Sequence, residues 1–321
     1  MENRIGSSTC AAQNSVTTAT RFIRRMRGGS QAALMEADDG NFYVVKMLGN
    51  PQGSSILFRD ALGSELMRLV GLPVPAWKPI SISACLAGSS ELRFQLPSGS
   101  THAPARGPHF ASLFIARDVS DLLYETLPTP WISRLVNQDH FIGALMVDLW
   151  TNNQDPRQAI FLKQGDSDHL YTFFIDQGYQ FSNKSEHPKI AIRRVQFMNR
   201  GVYRCSGLET LLLEWEAKLA AITKDSLKQM VLDCNLPAPW YTSLELEKAI
   251  DLLIERQSLL SSFREAIQED TSIPEMAGRS LRLYKNGNFD AIQIRGLGSC
   301  VGGAGGGAKA LRIIGSANRA Y

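Results

Sequence analysis

The chain has 321 residues, 44% of them hydrophobic, so it can form one large domain or two smaller ones around a substantial core. Its 34 basic and 31 acidic residues leave a formal charge of +3, and their scatter gives no reason to expect nucleic acid as a partner. Five cysteines without a CxxC pair argue against a disulfide framework and a structural zinc site. This cysteine usage makes the reducing cytoplasm the expected location. The chain has no apolar run near the roughly 18 residues of a membrane span, so no membrane anchor is expected.

Residues 1–17 are rich in Ser, Thr and Ala and contain few acids. This composition weakly resembles a transit peptide, but it favours a disordered leader.

Residues 18–118 have the pattern of a small β-rich unit with one helix. Short strand-like segments are predicted at 18–26, 28–37 and 41–48, with a tight turn at 38–40 between the last two. Apolar residues recur with a helical period over 54–71. Three further strands are predicted, in "WKPISISACL", "ELRFQL" and "HFASLFIA".

Residues 119–270 change to a mainly helical pattern. Helices are predicted over 131–150, 207–222 and 243–267, the last with Thr242 three residues before Glu245, the spacing of a capping box. Two strand-like pieces, "AIFLK" and "YTFFID", lie between the first two helices.

Residues 271–321 lose the amphipathic period and include "GLGSCVGGAGGG". This composition predicts a flexible Gly-rich tail.

Lys46 lies inside an apolar strand, between Val45 and Met47. Because successive side chains of a strand point to opposite faces, its ammonium is either a solvated charge or a group that reaches into a cleft.

Two acids follow apolar elements. Asp155 lies in the polar stretch "TNNQDPRQ", and Asp176 ends the strand-like "FFID". A hairpin between them would bring the two carboxylates together, where with the Gln158 side-chain oxygen they could hold Mg²⁺ against nucleotide phosphates. A loop carboxylate such as Asp155 is also a candidate base for a hydroxyl. Two ordinary turn acids are the alternative.

These stretches together resemble the HipA-like branch of the protein-kinase-like superfamily over roughly residues 20–268. The matching segments are "GGSQ" (28–31), "YVVK" (43–46), "GNPQG" (49–53), "GLPVP" (71–75), "GPHFAS" (107–112), "DLWTNNQDPRQAIF" (148–161) and "IDQG" (175–178). The resemblance implies an α+β, bilobal kinase-like fold with a small β-rich N-lobe and a mainly helical C-lobe. It also implies ATP in the cleft, Mg²⁺, and phosphorylation of a protein substrate of unknown identity on Ser or Thr. A regulatory protein partner is a further expectation.

By this resemblance, Lys46 corresponds to the lysine that binds the α and β phosphates. Asp155 corresponds to the catalytic base and Asp176 to the metal-binding acid. The turn at Gly28, Gly29 and Ser30 would cover the phosphates with backbone N–H groups.

Three departures from the family pattern concern the partners of these residues. Where relatives have an Asn-Glu pair early in the helix, this chain has Arg59 and Asp60, and the shorter Asp60 is not expected to reach Lys46 easily. Glu65 is an imperfect substitute because it lies on a different face of the helix. The Asn that many kinases use as a second metal ligand is replaced by Ile160, which leaves Gln158 as the nearest amide, and Pro156 would stiffen the loop.

Three functions follow from this resemblance. The first is an ATP- and Mg²⁺-dependent protein Ser/Thr kinase. The second is a degenerate nucleotide-binding module that regulates a partner without chemistry. The third is phosphotransfer to a small molecule, since a fold does not fix a substrate.

Overall fold

The computed structural model describes residues 16–53, 55–184 and 186–270, and the backbone of two later strands, 291–296 and 311–314. The architecture is α+β, with a β-rich N-terminal region followed by a mainly helical C-terminal part.

The strands are β1 Thr18–Arg25, β2 Ala33–Ala37, β3 Phe42–Lys46, β4 Trp77–Ile82, β5 Phe94–Gln95, β6 Thr101–His102, β7 His109–Leu113, β8 Leu122–Tyr124, β9 Gln158–Lys163, β10 Tyr171–Ile175, β11 Ala291–Gly296 and β12 Leu311–Ile314. The helices are α1 Ile56–Leu69, α2 Ala84–Ala87, α3 His140–Trp150, α4 Pro188–Val195, α5 Leu208–Ala220, α6 Lys224–Cys234, α7 Ser243–Arg256 and α8 Leu260–Asp270. No helix among the described residues is both long and apolar enough to cross a membrane.

The N-terminal strands close into a barrel in the order β1-β2-β3-β7-β4, with β1 pairing in parallel with β4. Closure leaves the barrel without exposed edges. Small and apolar side chains such as Ala19, Met35, Val45 and Ala111 are fully buried in one cluster. The alternation along β3 that sends Val45 to this cluster sends Lys46 to the opposite face.

A second sheet has the order β10-β9-β8-β11-β12. The β9–β10 hairpin is antiparallel, and Gln158 pairs with Ile175 at its open end. The residues just outside that end, Asp155 and Asp176, are therefore brought to one edge of the sheet.

The largest core cluster surrounds α3, in which every residue from Phe141 to Trp150 is buried. Buried residues of α1 belong to the same cluster. A Cβ added at Gly143 would lie 2.2 Å from the Trp215 ring, so only glycine allows α5 to approach α3 this closely. The packing fixes α3, and with it the start of the polar stretch that follows.

Several predicted elements differ from the observed ones. The helix predicted over 131–150 begins only at His140, after a 3₁₀ helix at Thr129–Arg134. The side chains of Asn137 and Gln138 hydrogen-bond backbone carbonyls of Thr172, Val202 and Arg204 instead of facing solvent from a helix, because short polar side chains compete with helical hydrogen bonding.

The predicted strand "ELRFQL" contains only a 3₁₀ turn and the two residues of β5. The strand predicted in "WKPISISACL" ends at Ile82, where Ser83 caps α2. The long helix predicted over 243–267 is interrupted by a 3₁₀ turn at Gln257–Leu259, although the Thr242–Glu245 capping box is present. The helix α6 was not predicted.

The predicted flexible tail is corrected in part. The backbone of β11 pairs with β8 and with β12, so these two strands extend the second sheet. The Gly-rich residues 297–310, and residues 1–15 of the predicted leader, lie outside the described part. The boundary predicted near residue 118 stays a prediction.

Candidate functional site

Lys46, at the end of β3, is buried with only 7% of its surface exposed, so the solvated-surface interpretation of this lysine is wrong. Its ammonium donates to Asp60 Oδ2 at 2.6 Å and to Asp176 Oδ1 at 2.7 Å. A buried ammonium is tolerated when opposite charges compensate its lost hydration, and here two carboxylates do so.

The expectation that Asp60 is too short to reach Lys46 is also wrong. Helix α1 packs against the β10 end closely enough for Asp60 Oδ1 to accept the Gln177 backbone N–H at 2.8 Å. A Cβ added at Gly178 would lie 2.6 Å from Ile56 and 3.1 Å from Asp60 Oδ2, so this glycine permits the approach. The short acid suffices because the helix is near.

Glu65 is not a substitute for Asp60. Its carboxylate accepts from Arg68 at 2.5 Å and from the Trp77 indole at 2.7 Å. Glu65 lies five positions after Asp60 in α1, which places it on another part of the helix surface.

The three charges titrate unequally. Burial alone would lower the pKa of Lys46, but Asp60 and Asp176 raise it, so the ammonium stays charged. Burial raises the pKa of Asp60 to about 6 despite Lys46. Burial opposes ionisation of Asp176 as well, but Lys46 and Arg157 outweigh it and lower its pKa. Asp176 is therefore ionised at neutral pH, and its side chain is partly exposed to solvent.

Asp155 and Asp176 are joined through one amide. Gln158 Nε2 lies 2.9 Å from Asp176 Oδ2 and 3.4 Å from Asp155 Oδ2. Burial, and then the charge of Asp176, raise the pKa of Asp155. With a single ammonium facing three carboxylates, this group has an excess of negative charge.

A divalent cation would neutralise that excess. No group of three or more His, Cys, Asp or Glu among the described residues could hold a metal. Two carboxylates and an amide still fit Mg²⁺, which keeps several waters and takes other ligands from substrate phosphates. Asp176, whose side chain is 23% exposed, and Gln158, which is exposed, can be reached by such an ion.

The polar stretch between α3 and β9 is held by a buried ion pair. Arg157 donates to both carboxylate oxygens of Asp148, at 2.8 and 2.6 Å, and both side chains are almost fully buried. Asn153 donates to Asp148 at 3.0 Å and accepts the Asp155 backbone N–H at 3.1 Å. The pair therefore fixes the loop that presents Asp155.

Arg157 also reaches the segment that carries Asp176. Its guanidinium donates to the Ile175 carbonyl at 3.1 Å and to Gln177 Oε1 at 2.5 Å. The role of Asp148 and Arg157 was missed from the sequence. The available signal was a lone acid in the otherwise apolar helix α3, which a buried position requires to be paired.

Two residues of the site have left-handed backbone conformations. Asn152 has a φ of 54° and Asp176 a φ of 61°. Asn and Asp are the non-glycine residues that adopt this region most readily, at a cost of order 1 kcal/mol. Asn152 is held there by hydrogen bonds from its amide to the Ser182 and Lys184 carbonyls.

The predicted phosphate-covering turn lies between β1 and β2. Gly28 has a φ of 114°, and Ser30 is buried, with its carbonyl accepting from the Asn50 amide at 2.7 Å. A Cβ at Gly29 would lie 2.6 Å from the Gln52 amide. Gln52 in turn donates to the Tyr179 hydroxyl at 2.9 Å, which links this turn to the segment after Asp176.

A cavity of about 430 Å³ opens beside these groups. Lys46, Asp60, Asp176 and Gln158 form its polar side. Its other walls are mostly apolar, contributed by Val44, Phe110, Leu113, Phe114, Ile115, Leu123, Ile160 and Phe174. Apolar walls with a few convergent polar groups are the usual lining of a small-molecule site.

Several solved structures resemble the chain, and two of the three described next are named as kinases. A Golgi casein kinase with Mn/ADP bound matches with a TM-score of 0.49 and 11% identity, over 80% of this chain and 75% of that one. The Helicobacter pylori proinflammatory kinase CtkA matches with a TM-score of 0.49 and 10% identity, over 80% of this chain and 100% of that one. HipA from the Shewanella oneidensis MR-1 toxin-antitoxin complex with HipB and operator DNA matches with a TM-score of 0.43 and 11% identity, over 85% and 70%.

The sequence matches no protein-family model and no curated protein. Because the identities to the solved structures are this low, the functional proposal rests on the geometry of the site.

Proposed function

We propose that the protein is an ATP- and Mg²⁺-dependent protein Ser/Thr kinase with a bilobal layout. The observation that carries the proposal is the buried Lys46 ammonium, held between Asp60 and Asp176 at the polar end of the cavity, with Asp155 one amide away. In this proposal the adenine ring of ATP packs against the apolar walls of the cavity, and the phosphates extend towards Lys46.

Each residue has a separate role. Lys46 binds the α and β phosphates, and Asp60 orients its ammonium. Asp176 and Gln158 would hold Mg²⁺, which when bound neutralises charge on the phosphate oxygens. The 28–30 turn supplies backbone N–H groups above the phosphates.

Asp155 accepts the proton of the substrate hydroxyl. The hydroxyl oxygen then forms a bond to the γ-phosphorus as the bond between that phosphorus and the ADP oxygen breaks. The raised pKa of Asp155 suits this role, because a stronger base accepts a proton more readily near neutral pH.

A catalytically degenerate nucleotide-binding module, acting on a regulatory protein partner, is the second candidate. It is favoured by Ile160, an apolar residue of β9 on the cavity wall where many kinases have a second metal-binding Asn. Gln158 is then the side-chain amide that contacts both carboxylates.

Isothermal titration and phosphotransfer assays on two variants test the first candidate. Asp155→Asn should abolish phosphotransfer and keep Mg-ATP binding, since the amide cannot accept the proton. Asp176→Asn should lose the Mg²⁺-dependent part of nucleotide binding, since a neutral ligand does not offset the dehydration of the ion. Asp168→Asn, at the exposed opposite end of the β9–β10 hairpin, is the matched control.

The result for the parent protein separates the candidates. Mg-ATP binding without any phosphotransfer favours the regulatory module. A parent that binds no nucleotide contradicts both.

A further inference from the structure

Residues 184–204, called here the basic segment, concentrate the positive charge of the chain. They contain six Lys or Arg and one Glu. The rest of the chain has 28 basic and 30 acidic residues, so outside this segment the protein carries a net charge of −2. A local excess of this size attracts anionic ligands.

The basic segment is attached directly to the loop that carries Asp155. The Asn152 amide donates to the Lys184 carbonyl at 2.6 Å, and the Arg157 backbone N–H donates to the Val195 carbonyl at 2.9 Å. Met198, 72% exposed, lies at the cavity wall. The segment therefore borders the place where a substrate hydroxyl would meet Asp155.

Three cations of the segment lack an acidic partner among the described residues: Lys184, Arg193 and Arg200. All three are exposed. By contrast, Lys189 pairs with Glu269 and Arg194 with Glu186. Cations without an internal partner are free to pair with a ligand.

Chain geometry limits the distance between Arg193 and Asp155. The Cα atoms of Asp155 and Arg157 are at most about 7 Å apart, the span of two extended residues. The hydrogen bond from Arg157 to Val195 adds a Cα–Cα distance of about 5.5 Å. Arg193 lies two residues before Val195 in α4, which adds about the same distance. The Cα atoms of Asp155 and Arg193 are therefore at most about 18 Å apart, which is the length of roughly five residues of an extended peptide.

We propose that the substrate is an acidic protein segment, with Asp or Glu within about five residues of the phosphorylated hydroxyl, docked on Lys184, Arg193 and Arg200. This inference rests on the proposed kinase function and specifies its substrate class. Nucleic acid fits the surface less well, because the exposed acid Glu269 and the half-buried Glu186 lie among the cations and would repel a continuous phosphate backbone.

The test measures fluorescence anisotropy of labelled peptides on the full chain with Mg-ADP present. Three 13-residue peptides share a central Ser and carry Glu, Gln or Lys at the flanking positions, and a 13-nucleotide single-stranded DNA is the fourth probe. Phosphorylation of each peptide with Mg-ATP is measured separately.

The Glu peptide should bind about tenfold more tightly than the Gln peptide, since three exposed ion pairs together contribute on the order of 1–2 kcal/mol. The difference should shrink in 0.5 M salt, because exposed charges are screened. Arg193→Glu should weaken the Glu peptide about fivefold and leave the Gln peptide and Mg-ADP unchanged. Lys228→Glu, an exposed substitution on α6, is the control and should change none of them.

Equal affinity for the Glu and Gln peptides would overturn the proposal. So would DNA binding that is tighter than Glu-peptide binding and is weakened by the same substitution. Selective binding of the Glu peptide without phosphotransfer would support the docking surface and refute the kinase function, so the two failures are distinguishable.

Discussion

Breaking the buried ion pair between Asp148 and Arg157 is expected to destabilise the protein by about 3–5 kcal/mol. The side chains are 0% and 1% exposed. In Arg157→Met, the Asp148 carboxylate would keep two donors among the described residues, the Asn153 amide at 3.0 Å and the Gln180 amide at 3.4 Å. Two neutral donors do not compensate a buried charge.

This loss is large against the roughly 5–15 kcal/mol that stabilises a typical folded protein. For a protein of this size it corresponds to a fall in the thermal midpoint of about 10 °C.

The double variant Asp148→Leu/Arg157→Met should recover most of the lost stability, because it leaves no unpaired charge. It should not recover activity. Arg157 also donates to the Ile175 carbonyl and to Gln177, so its removal loosens the segment that holds Asp176 in its left-handed conformation.

Urea unfolding of the parent, both single variants and the double variant measures the coupling free energy between the two residues. Phosphotransfer and Mg-ATP titration on the double variant measure the effect on the site. Single variants that lose less than about 1 kcal/mol would refute the reasoning, as would a double variant whose loss equals the sum of the single losses.

Further predictions concern the site and the chain end. Lys46→Met should weaken ATP binding in titration calorimetry, and adding Asp60→Asn should restore stability without restoring affinity, because Asp60 would no longer be a buried anion without its cation. Since the pKa of Asp155 is raised, the acid limb of kcat against pH should lie above that of an ordinary Asp, and a limb below about pH 4 would contradict this. The folded-state pKa of about 6 for Asp60 means that its protonation stabilises the fold below about pH 4 and that this contribution is lost as pH rises to 6. Asp60→Asn should therefore flatten the unfolding free energy over this range. Truncation after Asp270 removes β11 and should lower the thermal midpoint, whereas an unchanged midpoint would show that its pairing with β8 contributes nothing.

Local sequence patterns predicted the helices whose formation depends on neighbouring residues in the sequence. The helical period over 54–71 predicted α1, and the capping box at Thr242 predicted the start of α7. The pattern failed at 131–139, where the partners of Asn137 and Gln138 lie 35 or more residues away along the chain. A sequence pattern contains no information about such partners until the chain is folded.

The sequence by itself determined which groups could carry the chemistry: a lysine in an apolar strand, an acid in a polar loop and an acid at a strand end. Their approach was decided by tertiary structure, since Lys46, Asp60 and Asp176 come from the barrel, a helix and the second sheet. The sequence suggested that Asp60 was too short to reach Lys46. The close packing of α1 at Gly178 removes that difficulty, because reach depends on the distance between backbones as well as on side-chain length.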